Sequence, residues 1–300
     1  CDGVAHTATK EGRTMAFGSG DYVYEFVEDW IQLPSGWKLG ECPGVACDSK
    51  DRVYVYSRSD HFLTVYDKDG SYLDHWGGDV VGNAHGLFID KADNVYTTSH
   101  QTHQLHRLNP QGEVTLAIGT RDVRGENQAP LSGPCDAAVS ANGDLFVADG
   151  YGNHKVHRFS PEGELLYSWG EEGDGPGEFS MVHGVRIDKH DRVWICDREN
   201  RRIQIFDTDG KFLEERADLE RPDQVYFDPN EDVVYIAELE YRLTIQTLDG
   251  ETIAQWGGGA ESHAPGGFQG WPHGIWVDSE GSIYVGQVQA ESQLLKYRRA

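Results

Sequence analysis

Three histidines in the sequence each open the same six-residue motif, and residues of this type and spacing could bind a metal ion. The motif reads His85-Gly-Leu-Phe-Ile-Asp90, His183-Gly-Val-Arg-Ile-Asp188 and His273-Gly-Ile-Trp-Val-Asp278. Catalytic zinc sites commonly use three protein ligands and keep a fourth position open for water or substrate. The motifs therefore predict one three-histidine metal centre, if the fold brings them together. Zinc is the first choice, and imidazole also suits other divalent transition metals.

The motif belongs to a longer repeat. Each copy is followed by a polar turn and a short strand pattern, such as Asn94-Val-Tyr96, and equivalent units begin at residues 43, 85, 135, 183, 222 and 273. Four short strands in a unit of about 40–45 residues are typical of a β-propeller blade. The sequence therefore predicts an all-β, six-bladed β-propeller.

The last unit has three strand patterns, and an isolated strand pattern at residues 21–30 can supply the fourth. This pairing would close the ring in blade six and cover two exposed sheet edges. Residues 1–20 are polar and show no periodicity. We therefore expect a flexible N-terminal lead over residues 1–20 and a single propeller domain over residues 21–300.

The predicted fold places the three histidines around one axis. The first strand of each blade lines the central channel, and alternate blades of a six-fold ring lie about 120° apart. Histidines on blades two, four and six can thus converge on one point. The matching positions on blades one, three and five are Pro43, Cys135 and Pro222. A second histidine group spans a strand end, a turn and the next strand, so we expect its side chains to diverge: His100, His103 and His106.

Three further residues with useful chemistry follow the second strands of their blades, which open on one face of a propeller. Arg58 and Arg198 present rigid forks that suit a carboxylate. Tyr151 would lie between a metal ion and these cations, where its pKa could be lowered so that it acts as a base. The alternatives are that Arg198 forms ion pairs between blades and that Tyr151 caps its sheet.

Composition limits the classes of partner. The net charge of −24 argues against nucleic acid and anionic membrane surfaces, and no apolar run is long enough to span a membrane. Five cysteines without a CxxC spacing argue against a disulfide framework. These features favour a cytoplasmic protein, although Cys1 leaves a secreted protein or lipoprotein open, and the oligomeric state is not predicted.

The repeats resemble NHL repeats, and residues 35–298 resemble the peptidyl-α-hydroxyglycine α-amidating lyase family and its bacterial relatives. The matching strings include Ser57-Arg-Ser-Asp-His61, Ala84-His-Gly-Leu87, Asp149-Gly-Tyr-Gly-Asn153, Trp169-Gly-Glu-Glu172, Asp197-Arg-Glu-Asn200 and Pro272-His-Gly274. The joint placement of three His, two Arg and one Tyr is more specific than any single string.

The resemblance implies zinc on the three motif histidines, Tyr151 as the base, Arg58 as an essential active-site residue and Arg198 as a substrate contact. The implied reaction cleaves the N–C bond of an α-hydroxyglycine to give an amide and glyoxylate. The substrate would be a small molecule or a peptide-like compound with a carboxylate.

The chain departs from the family pattern beside the third histidine. The family has there an aspartate that ligates a structural calcium, whereas this chain has Gly274. Asp136 and Asp223 leave a calcium with altered ligands open. Gly152 stands where the secreted animal enzyme has a cysteine, which favours a smaller carbinolamide, such as an N-acyl- or N-carbamoyl-α-hydroxyglycine, over a peptide hormone.

Two alternatives remain at this point. The same metal site could serve a hydrolase or isomerase that acts on another small carboxylate. A non-catalytic NHL propeller that binds a protein partner needs no channel histidines, so the three motifs count against it.

Overall fold

The computed structural model describes residues 15–78, 80–125, 131–289 and 294–300, and the regular structure in these ranges is entirely β-strand. Six antiparallel sheets form the blades of a propeller. The predicted all-β, six-bladed fold is therefore confirmed. No helix in the described ranges has the length and apolar character needed to cross a membrane.

The strands of the first half follow the predicted units. Two strands precede the first blade: β1 (Ala16–Ser19) and β2 (Tyr22–Phe26). Blade one contains β3 (Gly44–Cys47), β4 (Val53–Tyr56), β5 (Leu63–Tyr66) and β6 (Tyr72–Trp76). Blade two contains β7 (Leu87–Ile89), β8 (Val95–Ser99), β9 (Gln104–Leu108) and β10 (Val114–Ile118). Blade three contains β11 (Asp136–Val139), β12 (Leu145–Asp149), β13 (Lys155–Phe159) and β14 (Leu165–Trp169).

The second half repeats this order after a short parallel pair: β15 (Glu171–Glu172) and β16 (Glu178–Phe179). Blade four contains β17 (Val182–Ile187), β18 (Val193–Asp197), β19 (Arg202–Phe206) and β20 (Phe212–Arg216). Blade five contains β21 (Pro222–Phe227), β22 (Val233–Glu238), β23 (Arg242–Thr247) and β24 (Thr252–Gly257). Blade six contains β25 (Trp271–Val277), β26 (Ile283–Val288) and β27 (Leu294–Arg299).

The first strands of the blades form the inner wall of the ring. They contact one another in the order β3, β7, β11, β17, β21 and β25, and β25 contacts β3 again. Inner strands such as β3 and β4 are buried along their whole length, whereas the outer strand β6 is largely exposed. Valine and aromatic residues dominate the buried strands because they pack well on a pleated sheet.

A buried carboxylate explains the last residue of the repeated motif. Asp188 Oδ1 accepts the backbone N–H groups of His190 and Arg192 at 2.8 and 2.9 Å, and its Oδ2 accepts the indole N–H of Trp194 at 3.0 Å. On three other blades the equivalent aspartate accepts a hydrogen bond from a tyrosine hydroxyl of the second strand: Asp48, Asp90 and Asp278. In these four blades one side chain fixes the turn and holds an aromatic residue in place.

The N-terminal strand closes the ring, as predicted. β2 pairs antiparallel with β27, with Tyr24 opposite Arg299 and Phe26 opposite Tyr297. β1 adds a fifth strand to this sheet. The placement of residues 16–19 in a flexible lead was wrong, because Phe17 packs with its ring 5.3 Å from that of Tyr297. Residues 1–14 of the predicted lead lie outside the described ranges, and the single-domain boundary at residue 21 stays a prediction.

Ring closure by β2 can be tested at Tyr24, which is fully buried with its ring 5.6 Å from that of Trp256 and its hydroxyl 3.3 Å from that of Tyr235. Tyr24→Ala should lower the free energy of unfolding by about 3–5 kcal/mol, as large-to-small core substitutions do. Glu25→Ala is the matched control, because its carboxylate pairs with Arg298 near the surface. It should cost less than about 1 kcal/mol. Urea unfolding measures both, and equal losses would contradict closure by β2.

Candidate metal centre

The fold brings the three motif histidines together in the channel. His85 lies just before β7, and His183 and His273 lie within β17 and β25. Their ring centroids are 4.8–4.9 Å apart, and one nitrogen of each lies within 4.8 Å of the others. All three side chains are buried. In the part of the chain that the structure describes, this is the one group of three or more His, Cys, Asp or Glu side chains that could hold a metal ion.

A backbone carbonyl of the next blade fixes the tautomer of each ring. Nδ1 of His85 lies 2.7 Å from Cys135 O, and Nδ1 of His273 lies 2.8 Å from Pro43 O. The corresponding distance from His183 to the carbonyl oxygen of residue 223 is 3.2 Å. Because a carbonyl only accepts, each Nδ1 carries the proton and each Nε2 keeps a free lone pair. This outer hydrogen bond is the usual partner of a metal-binding imidazole.

The matching residue on blade five is Asp223, so the expectation of Pro222 at that position was wrong. Pro222 pairs with Glu238 as Val182 pairs with Asp197, and the same register shift follows on both strands, so Asp223 stands in line with His183. The carboxylate of Asp223 consequently lies between two ligands. Its oxygens are 3.3 Å from Nδ1 of His183 and 3.2 Å from Nδ1 of His273.

The glycine after each histidine allows the blades to approach closely enough for these bonds. A Cβ atom on Gly274 would lie 2.7 Å from Pro43 O, and one on Gly86 would lie 2.4 Å from Cys135 O. Both distances are below van der Waals contact. The glycine that breaks the family pattern at position 274 therefore fits the local packing of blade six against blade one.

Burial keeps the three imidazoles neutral. Burial, with a further contribution from the Arg58 guanidinium, lowers the pKa of His273 to about 3. Burial also holds the pKa of His85 and that of His183 well below the ordinary value, and neighbouring imidazoles and Arg198 act in the same direction. Since a histidine must be neutral to bind a metal ion, the donor set fits zinc and similar transition metals.

Tyr151 reaches the centre from the open face. Its hydroxyl lies 3.3 Å from Nε2 of His85 and 3.4 Å from Nε2 of His183. The residue is 40% exposed, so the ring faces solvent while the hydroxyl lies among buried imidazoles. Burial of the hydroxyl raises the pKa of Tyr151 to about 12, and Arg198 opposes this. The lowered pKa that the sequence predicts for Tyr151 is therefore not produced by the residues of the chain without a metal ion.

Arg198 contacts Tyr151 and the centre together. Its Nη1 is 3.5 Å from the Tyr151 hydroxyl and 3.4 Å from Asp223 Oδ1, and its Nε donates to Glu199 at 2.9 Å. Arg58 donates from Nε to Ala84 O, next to His85. Its Nη1 forms a 2.5 Å ion pair with Glu41 that the sequence did not predict. In both arginines, Nη2 has no hydrogen-bond partner in the described ranges.

His100 is a further residue beside the three histidines. Its ring lies 4.9 Å from that of His85 and 4.7 Å from that of Tyr151, so it borders the centre. Among the described residues it forms no group with His103 and His106 that could hold a metal ion. Its place at the end of the second strand, equivalent to Arg58 and Tyr151 in the repeat, is the signal in the sequence for this position.

The carboxylates that left a calcium site open have other partners. Asp136 forms an ion pair with Arg186 deeper in the channel, and Asp223 pairs with Arg198. Each carboxylate has a guanidinium partner at one oxygen, whereas Asp136 Oδ1 and Asp223 Oδ2 are buried without a hydrogen bond in the described ranges. A structural calcium with altered ligands stays a prediction.

The chain is similar to two kinds of curated protein. It is 30% identical to human NHL repeat-containing protein 3, over 92% of this chain and 84% of that protein. It is 33% identical to rat peptidylglycine alpha-amidating monooxygenase, over 64% of this chain and 23% of that protein. It is 28% identical to a probable peptidyl-alpha-hydroxyglycine alpha-amidating lyase of Caenorhabditis elegans, over 56% of each protein. The chain thus spans about a quarter of the rat monooxygenase.

A family model and a solved structure both match this chain as a six-bladed β-propeller or a similar fold. A family model described as a 6-bladed beta-propeller matches residues 136–236. The structure of a streptogramin B lyase superposes with a TM-score of 0.66 at 15% identity, covering 92% of this chain and 98% of that one. At this identity the superposition shows the fold alone.

Metal analysis tests the centre. We expect zinc-loaded protein to retain close to one zinc ion per chain after gel filtration, because three neutral imidazoles converge. His183→Ala removes one ligand and should lose this zinc, as measured by plasma mass spectrometry. His263→Ala is the control, since His263 is an exposed histidine with a side-chain exposure of 73%. Equal zinc content in the wild type and both folded variants would contradict a centre at His183.

Proposed function

Because this chain belongs to the NHL-repeat family of six-bladed β-propellers, whose relatives include proteins named as amidating lyases, we propose that it is a zinc-dependent carbon–nitrogen lyase. The proposed substrate is an α-hydroxyglycine-type carbinolamide, and the products are an amide and glyoxylate. One observation carries the proposal: the Tyr151 hydroxyl lies within 3.4 Å of two buried, neutral imidazoles that would bind the metal ion.

His85, His183 and His273 would hold the zinc ion through Nε2, since each Nδ1 is bonded to a carbonyl. When bound, the ion would supply a Lewis acid for an oxygen that develops negative charge, and a positive charge that acts with that of Arg198 on Tyr151. The thiol of Cys135 is not part of this donor set, because Sγ donates to Gly133 O and burial raises its pKa.

Tyr151 is the proposed base. It takes the proton of the substrate hydroxyl, and the oxygen electrons form the carbonyl of glyoxylate while the C–N bond breaks. The electron pair of that bond leaves on nitrogen, and the proton held by Tyr151 can return there to complete the amide. The reaction is thus a proton transfer from oxygen to nitrogen coupled to one bond cleavage, and it needs no co-substrate.

Arg58 and Arg198 are proposed to hold the substrate carboxylate. Each has a free Nη2 among the described residues, and their other nitrogens are fixed by Glu41, Ala84 O, Glu199 and Asp223. A guanidinium group held in this way loses little conformational freedom when it binds a carboxylate. Such a pair would favour α-hydroxyglycines with a free carboxylate over neutral carbinolamides.

A second candidate function is a propeller that binds a protein partner without catalysis, since the name of NHL repeat-containing protein 3, which matches 92% of the chain, states no enzyme activity. The two candidates differ at the channel, since a partner-binding surface on the outer faces does not require three converging neutral imidazoles. A hydrolase or isomerase with the same centre would bind zinc but give no glyoxylate.

Glyoxylate formation tests the lyase proposal. Zinc-loaded protein incubated with α-hydroxyhippurate should release glyoxylate and benzamide in equal amounts.

Tyr151→Phe should keep its zinc and lower kcat by about 10²–10⁴-fold, because it removes the base. Tyr241→Phe is the matched control on blade five, where the hydroxyl contacts the Trp271 indole rather than the histidines, and it should keep wild-type kcat. A fully active Tyr151→Phe variant would remove Tyr151 from the role of base. Zinc-loaded wild type without any glyoxylate would contradict the lyase proposal.

A further inference from the structure

A buried arginine on an inner strand reaches across from one histidine-bearing blade to another. Arg186 lies in β17, three residues after His183, and is 3% exposed. The matching positions on blades two and six are the aromatic residues Phe88 and Trp276, as the pairing of their strands shows. The guanidinium carbon of Arg186 lies 5.2 Å from the ring centroid of Phe88. A side chain of blade four thus reaches blade two through the channel.

The guanidinium group binds acceptors on three blades. Its Nη1 donates to Val185 O at 2.7 Å, to Ala137 O at 3.3 Å and to the Asp136 carboxylate in a short ion pair. Its Nη2 donates to Leu87 O at 3.2 Å. Burying a charge without partners is very costly, so these bonds are required if the charge is to be in the channel at all.

Each of these acceptors is next to an element of the metal centre. Leu87 follows His85 by two residues. Asp136 follows Cys135, whose carbonyl orients His85, and the same carboxylate oxygen accepts the backbone N–H of Val185 at 3.1 Å. The guanidinium group of Arg186 therefore connects the strand of His183 to the residue after Cys135 through the ion pair, and to the strand after His85 through Leu87 O.

The matching residue on blade five shows that the backbone bond alone does not require a charge. Gln224 Oε1 accepts the backbone N–H of Ile275 at 3.0 Å, as Asp136 does for Val185, but with a neutral amide. The backbone N–H of Val185 would be satisfied by a neutral acceptor, so the negative charge of Asp136 serves its ion pair with Arg186. A buried ion pair is weak evidence for stability, so its role is better sought in the geometry it imposes.

We propose that Arg186 is a positioning residue for the metal centre: paired with Asp136, it holds the strands of His85 and His183 at the separation at which both imidazoles bind one ion. The proposal rests on the proposed zinc site and is independent of the substrate. In this proposal the guanidinium group of Arg186 occupies the inner part of the channel.

The test compares two arginine variants on the same blade. Arg186→Met keeps a long apolar side chain but removes every channel hydrogen bond. Arg192→Met is the matched control: Arg192 also pairs with a buried carboxylate, Asp188, at 2.6 Å, and its guanidinium also lies over an aromatic ring, that of Trp194 at 5.6 Å. Both variants should melt at a lower temperature than the wild type.

Zinc affinity, measured by competition with a chromogenic chelator, separates the two roles. Arg186→Met should weaken zinc binding about 10- to 100-fold, the range seen when an outer partner of a metal ligand is lost. Arg192→Met should bind zinc as the wild type does. Arg186→Lys should recover only part of the affinity, because an ammonium group cannot reach acceptors on three blades with a planar fork.

Arg186→Met leaves Asp136 as an unpaired buried charge, so a double variant with Asp136→Asn guards against misfolding. The asparagine can still accept the Val185 N–H group. This folded double variant should also show weakened zinc binding. Wild-type zinc affinity in it, or in a folded Arg186→Met protein, would overturn the proposal while leaving the zinc site intact. A wild type that binds no zinc would instead overturn the proposed metal centre, and zinc binding without glyoxylate would overturn only the lyase activity.

Discussion

Three hydrogen bonds between neighbouring blades determine the geometry of the centre. In each, Nδ1 of a channel histidine donates to a backbone carbonyl of the next blade. The bond fixes the ring plane and leaves the Nε2 lone pair as a metal donor. It also requires close approach of the two blades, which explains the glycine after each histidine. The packing of neighbouring blades and the orientation of the histidine rings therefore depend on the same contacts.

The charges around the three imidazoles are arranged differently from those of the rest of the chain. The net charge of the protein is −24, yet Arg58 and Arg198 both lie near the centre and help to keep the histidines neutral. At an ionic strength of 0.1 M, charges more than about 10 Å away are largely screened in solvent. A carboxylate at the mouth would therefore interact mainly with these two guanidinium groups and with the acidic side chains paired to them, Glu41, Glu199 and Asp223.

The sequence predicted the blades, the closing strand and the alternation of the histidines, because these follow from a repeat that can be counted. Asp223 was placed one residue out of register, because the unit on blade five was aligned on Pro222 rather than on the five-residue spacing that separates Asp223 from Asp228 and His183 from Asp188. The raised pKa of Tyr151 in the chain without a metal ion was not predicted, since burial of the hydroxyl depends on the packing of several blades. Glu41 and Arg186 were missed for the same reason: each finds its partners across the channel or its mouth, far away in the chain.

The three imidazoles from alternate blades are proposed to bind one metal ion. Zinc K-edge X-ray absorption on the zinc-loaded protein measures the ligand set directly. We expect three imidazole nitrogens at about 2.0–2.1 Å from the zinc ion and one further oxygen ligand. A spectrum with sulfur ligands, or with oxygen ligands and no imidazole scattering, would contradict it.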